Sequence, residues 1–184
     1  MKSVIKGIVL ILVALVVIGA GGAYLIPPVA VVERTAVIKA PPEKIYAIVS
    51  SMKRFNEWSP WFSLDPKAEY SFEGPEQGTG QKMIWKSSDP NVGNGSQTIT
   101  GTAVNQKVVT ELDFGAMGKA EASLTLSPVD GGTLVKWGFR SEVNGIMERW
   151  MSLMFDKWIG ADYVKGLNLL KALAEKDTAA TAAG

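Results

Sequence analysis

The chain has 184 residues, 19 Lys and Arg against 18 Asp and Glu, and neither cysteine nor histidine. Without Cys there is no disulfide, no reactive thiol and no lipid-bearing cysteine; without His the Ser-His-Asp and Cys-His mechanisms are excluded and the commonest transition-metal ligand is missing. Setting aside Lys2 and Lys6 leaves 17 basic residues against 18 acidic ones, so no basic face for nucleic acid is implied.

Gly7 to Ile26, GIVLILVALVVIGAGGAYLI, carries no charge. About 20 helical residues at 1.5 Å each span a hydrocarbon core of roughly 30 Å. Lys2 and Lys6 on the near side place the amino terminus in the cytoplasm by the positive-inside rule. Pro27-Pro28 ends the helix. Residues 1–28 are therefore expected to be a transmembrane anchor, with the following domain extracytoplasmic. The alternative is a cleaved signal peptide, for which Gly21 and Ala23 supply small residues; the domain would then be secreted or periplasmic.

Val29 to Lys39 is rich in β-branched residues and predicts a strand. Pro41-Pro42 opens a short helix with Ile45, Ile48 and Val49 on one face, and Ser51 to Trp58 predicts a second, capped by Ser51 and ended before Pro60. Six strands follow: Tyr70 to Phe72, the Met83–Trp85 pair, Gln97 to Val104, Val108 to Phe114, Ala120 to Leu126 and Leu134 to Val143. Gly74-Pro75, Gly78-x-Gly80, Asp89 to Gly95, Asn105-Gln106 and Asp130-Gly131-Gly132 separate them, and connections this short imply an antiparallel meander. Ile146 to Lys176 predicts one long helix with Met147, Trp150, Met151, Met154, Phe155 and Trp158 on one face. Residues 177–184, DTAATAAG, are expected to be a disordered tail. The fold class is α+β: a curved antiparallel sheet of about seven strands covered by the long helix, occupying residues 29–176.

This order, with VIKAPPEKIYAIVSS, FNEWSPW, Gly78-x-Gly80 followed by Trp85, and FDKWIGADYVKGLNLLKALAE, resembles the helix-grip fold of the START-like, or SRPBCC, superfamily. Within it the chain is most similar to the polyketide cyclase/dehydrase-like branch. The resemblance covers roughly Val31 to Glu175; the apolar amino terminus departs from it, since many relatives are soluble. It implies binding of a hydrophobic small molecule or lipid between sheet and helix, and it fixes no single reaction.

By strand alternation and helical spacing, the cavity lining is expected from Phe72, Met83, Trp85, Leu112, Trp137 and Phe139 on the sheet and from Met151 and Phe155 on the helix, with Trp58 and Trp61 at its mouth. The same aromatics also suit a dense core. Glu69, Glu73, Glu111, Asp113, Glu121 and Glu142 alternate outward, Glu57 and Asp65 lie in loops, and no acid points inward for acid-base work. Gly78-x-Gly80 precedes no helix and is a turn rather than a phosphate loop. No metal or cofactor site is implied. The functional expectation is membrane-anchored binding of an apolar ligand. The alternatives are a cyclase-like enzyme relying on Tyr46, Tyr70, Tyr163 or Lys, and a structural or partner-binding domain with a filled core.

Overall fold

The computed structural model describes residues 2–182, with side chains described for residues 5–176. The uncharged amino-terminal run forms α1 (Lys2–Ala23), whose segment Ile5–Ala23 is long and apolar enough to cross a membrane. Then come β1 (Val29–Ile38), α2 (Pro42–Val49), a 3-10 segment (Met52–Glu57), β2 (Glu69–Glu73), β3 (Lys82–Lys86), β4 (Asn94–Ala103), β5 (Lys107–Asp113), β6 (Lys119–Val129), β7 (Gly132–Glu142), α3 (Ile146–Ser152) and α4 (Phe155–Ala182).

The seven strands form one antiparallel sheet in the order β1-β7-β6-β5-β4-β3-β2. From β2 to β7 each strand pairs with the next through a connection of two to eight residues, and β1 closes against the last strand. A register shift between Ile99 and Gly101 bulges β4, the local device by which a sheet gains curvature. Along β6 and β7, Ala122, Leu124 and Leu126 and then Val135, Trp137 and Phe139 are buried, with the intervening residues more open on β6. That alternation gives the sheet an apolar inner face.

α4 covers this face along β1. Its Tyr163, Leu167, Leu170 and Ala174 are all buried, the i, i+4, i+7, i+11 spacing of a helical stripe. Full burial of Leu167 or Leu170 contributes about 1.5–3 kcal/mol each. Polar fasteners hold both ends of the helix. Near its start, Arg34 of β1 donates from Nη1 to Asp156 Oδ1 (2.9 Å) and from Nη2 to the Asp156 carbonyl (3.0 Å). Near its end, Glu175 Oε1 accepts from the Lys39 amide (2.8 Å) and Lys171 Nζ donates to the Val37 carbonyl (3.0 Å).

The structure differs from the sequence reading at two places. The single helix expected over Ile146 to Lys176 is two. Ser152 Oγ donates back to the Arg149 carbonyl at 2.7 Å, occupying an acceptor of the helical ladder and favouring a break, and α4 begins at Phe155. Second, Ser51 stands at the start of the 3-10 segment without a side-chain capping bond. The fully buried Gln81 does that work from the β2–β3 loop: its Oε1 accepts from the Met52 amide at 2.7 Å, and its Nε2 donates to the Glu76 carbonyl at 2.7 Å. The α4 backbone runs on to Ala182, and residues 183 and 184 lie outside the described residues.

Candidate ligand-binding site

The space between sheet and helices has two ends of different character. At the end near α2 and the 3-10 segment it is closed. Pro60 turns the chain after the 3-10 segment, and Phe55, Trp58 and Trp61 fold onto β7 and α4. The Trp58 ring meets Phe55 edge-on at 4.9 Å and Trp137 at 5.1 Å between centroids. Trp137 stacks on Tyr163 at 3.8 Å. Trp61 packs edge-on to Trp137 at 6.1 Å and donates from Nε1 to Asp162 Oδ2 at 3.0 Å. The aromatic run at residues 55–61 is thus a plug joining three elements. Phe62 stands apart, exposed and tilted against Tyr70 at 5.7 Å.

An internal cavity of about 10 Å³ lies behind this plug, lined by Val49, Met52, Trp58, Val108, Leu124 and Trp137 together with Gln97 and Thr110. That is room for about one water molecule. Gln97 Nε2 donates to Thr110 Oγ1 at 3.0 Å, and Thr110 Oγ1 donates to the Ala122 carbonyl at 3.4 Å. The Trp58 indole N–H is buried with no partner among the described residues, so this small space is polar on one side.

At the other end the sheet is less covered. The ends of β3, β5 and β7 carry Trp85, Leu112 and Phe139, and Phe155 opens α4. Trp85 packs edge-on to Phe114 at 6.1 Å, and Phe139 edge-on to Phe155 at 6.0 Å. Trp85, Leu112, Phe114, Phe155 and Ile159 are only partly buried and rest against the core. Trp85 lies over Gly95, where an added Cβ would come within 2.5 Å of the ring, and its Nε1 donates to the Val92 carbonyl at 3.3 Å. This end is the one nearest α1: Val29, the first residue of β1, pairs with Glu142, the last of β7, and the Val143 amide donates to the Pro28 carbonyl at 2.9 Å.

The ten residues expected to surround one cavity are thus distributed. Trp58 and Trp137 line the small closed cavity, and Trp61 packs beside them. Met83 is core. Trp85, Leu112 and Phe139 stand toward the open end on β3, β5 and β7, with Phe155 against Phe139. Phe72 pairs with Met83 but sits on the free edge strand β2 and stays exposed. Met151 requires a correction: it is exposed on α3, outside the sheet–helix layer, because the helix break turns that face away from the sheet.

Two inward polar groups escaped the sequence reading. Arg34 shares the inner face of β1 with Val32 and Ile38, and its bonds to Asp156 hold the Asp156 carboxyl below, and its own guanidinium above, their ordinary values. The Gln97–Thr110 pair is the other. Alternation with Ile99 and Val108 was the available signal for both residues.

Catalytic groups are sparse. Among the described residues no carboxylate is buried, and no cluster of acids could hold a metal ion. Asp65 is lowered mainly by the Ser87 hydroxyl, which donates to its Oδ2 at 2.5 Å, and further by the Lys67 amide. Burial raises the Tyr163 hydroxyl far above its usual range; Tyr70 is raised by burial first and by Asp65 second.

The family model described as polyketide cyclase / dehydrase and lipid transport matches residues 29–175. No curated protein matches the sequence. Among solved structures, a protein of unknown function from Staphylococcus aureus superposes with a TM-score of 0.63 at 12% identity, covering 82% of this chain and 96% of its own. The di-domain ARO/CYC StfQ from the steffimycin biosynthetic pathway gives 0.61 at 12% identity, with 82% of this chain and 52% of that one covered. Ara h 8.0201 gives 0.53 at 16% identity over 77% and 98%. At such identities the likeness is one of fold.

Proposed function

The chain belongs to the polyketide cyclase / dehydrase and lipid transport family, and on that premise we propose that it is a membrane-anchored domain binding a hydrophobic small molecule or lipid at the open, anchor-proximal end of its sheet. The family and its fold make this a hydrophobic ligand-binding or cyclase-like domain. The observation that carries the finer reading is the half-buried group of Trp85, Leu112, Phe114 and Phe155, which packs against the core yet keeps apolar surface uncovered. The closed cavity of about 10 Å³ is too small for such a ligand. α1 supplies the anchor, and tethering holds the domain where apolar ligands partition. Affinity comes from apolar burial, about 25 cal/mol per Å² before ordering costs.

An apolar-dye titration on the full chain in detergent tests the site. Trp85→Ala and Leu112→Ala are expected to weaken dye binding roughly tenfold or more, from the loss of one buried apolar side chain's contact. Trp137→Ala, at the closed end, acts mainly on stability. Dye binding unchanged in the first two variants would contradict the site.

Two other readings each have an observation behind them. The packed Trp58–Trp137–Tyr163 end favours a filled-core domain whose role is structural or partner-binding. A cyclase-like activity would draw proton transfer from Tyr70, half-buried at the open end beside Phe62. Turnover of a polyketide-like substrate, lost in Tyr70→Phe, would favour that second reading.

A further inference from the structure

α3 and the turn after it are amphipathic in the reverse sense for a soluble protein. Met147 is 72%, Trp150 44%, Met151 48%, Leu153 58%, Met154 38% and Trp158 51% exposed. Three of the four charged side chains of the same stretch bond to the protein, and the fourth, Lys157, is exposed. Glu148 Oε2 accepts from the Asn144 and Gly145 amides at 3.0 Å each. Arg149 Nη1 donates to the Ile26 carbonyl at 2.9 Å, with its guanidinium over the Tyr24 ring. Asp156 is held by Arg34. A cluster of exposed large apolar side chains of this kind marks a contact with something apolar.

The position of α3 says what that is. Trp150 Nε1 donates to the Gly19 carbonyl at 3.1 Å, and a Cβ on Gly22 would come within 3.1 Å of the Trp150 ring. Arg149 reaches the last residue of the apolar run, Ile26. Gly19 lies one turn before the end of α1 at Ala23, and Ile26 lies in the turn that follows it. Trp150 therefore stands at the level of the last turns of α1 and Arg149 at its exit, the depths at which Trp and basic residues collect in a bilayer.

We propose that α3 and Leu153 to Trp158 lie in the lipid interface beside the emerging α1, as an in-plane apolar wedge that fixes how the domain sits on the membrane. The proposal rests on α1 crossing the bilayer, as read above. It also sets the open end of the sheet toward the lipid, since Phe155 continues directly from this wedge and β1 and β7 end beside α1.

The chain has no native cysteine, so single Cys variants of the full chain can carry a nitroxide label without background. The test is the accessibility of labels at Met147→Cys, Met151→Cys and Met154→Cys to oxygen and to a soluble nickel chelate, in phosphatidylcholine vesicles. Val13→Cys in α1 and Val104→Cys in the β4–β5 turn, at the far end of the sheet, are the references. The expected result is oxygen-rich, nickel-shielded labels at the three methionine positions, at a depth of about 5–10 Å, with Val13 deeper and Val104 aqueous. Nickel access at the methionine positions equal to that at Val104, with Val13 still in lipid, overturns the wedge and leaves the anchor standing. Nickel access at Val13 overturns the anchor and the wedge together. Labels at the methionine positions shielded from both reagents and broadened by neighbouring spins assign the surface to a second copy of the chain, and overturn the proposal.

Discussion

The indole of Trp137 lies flat on the ring of Tyr163, with centroids 3.8 Å and planes 10° apart. It can do so because Gly166 offers no side chain: a Cβ there would come within 2.5 Å of the Trp137 ring and 3.2 Å of Pro60. A helix-weakening residue in the middle of α4 is thus explained by packing. Gly166→Ala is expected to lose about 1–3 kcal/mol to overpacking, offset in part by about 1 kcal/mol of gained helix propensity. Trp137→Ala loses about 3–5 kcal/mol. Denaturant melts of the two variants check this; a Gly166→Ala protein more stable than the parent by the full propensity gain would show that the stack has room to spare.

Tyr163 makes a prediction at high pH. Burial raises its folded-state pKa far above the ordinary value of about 10. Above pH 10 the unfolded chain releases the phenolic proton and the folded chain keeps it, so the unfolded state binds fewer protons and stability falls as pH rises. The contribution is fully present below about pH 10. Tyr163→Phe is expected to flatten the alkaline limb of a Tm-against-pH curve. An alkaline limb identical to the parent's would mean that the phenol is not shielded from water.

Asp156 acts at the opposite extreme. Its carboxyl is lowered first by the hydrogen bond from Arg34 and then, against the opposing effect of burial, by the guanidinium's charge. A depressed carboxylate stabilises the fold above its unfolded pKa, about 3.9, and that support is lost as pH falls through the lower folded value. Asp156→Asn is expected to lower Tm at neutral pH and to reduce the acid dependence below pH 4. Gly160→Ala should approach the same behaviour, because its Cβ would collide with the Arg34 guanidinium. Unaltered acid limbs in both variants would detach α4 from this fastener.

Much of the fold was legible because strands announce themselves by alternation. Val135, Trp137 and Phe139 set one face of β7 unambiguously, and the short Gly-containing turns left an antiparallel meander as the simple connection. The start of the last helix was not legible. Met147, Trp150, Met151 and Met154 repeat at helical spacing, and that periodicity reports an apolar face without saying what it faces; in a chain with an apolar amino-terminal helix, the sheet is only one of two apolar surroundings. The break at Ser152 depends on a single hydroxyl turning back on the ladder, a choice that periodicity does not encode. Strand alternation made the faces of Trp85, Leu112, Trp137 and Phe139 legible, helical spacing misplaced Met151, and the separation into a closed end at Trp58 and an open end at Trp85 depends on how far α4 reaches across the sheet from β1.

The most direct test of the central claim is native mass spectrometry of the full chain released from detergent after purification from membranes. The account predicts the intact 184-residue chain carrying one apolar small molecule or lipid that survives mild activation, and Trp85→Ala carrying less of it. A parent protein that is bare under these conditions, and that takes up no apolar ligand when one is supplied in excess, would contradict it.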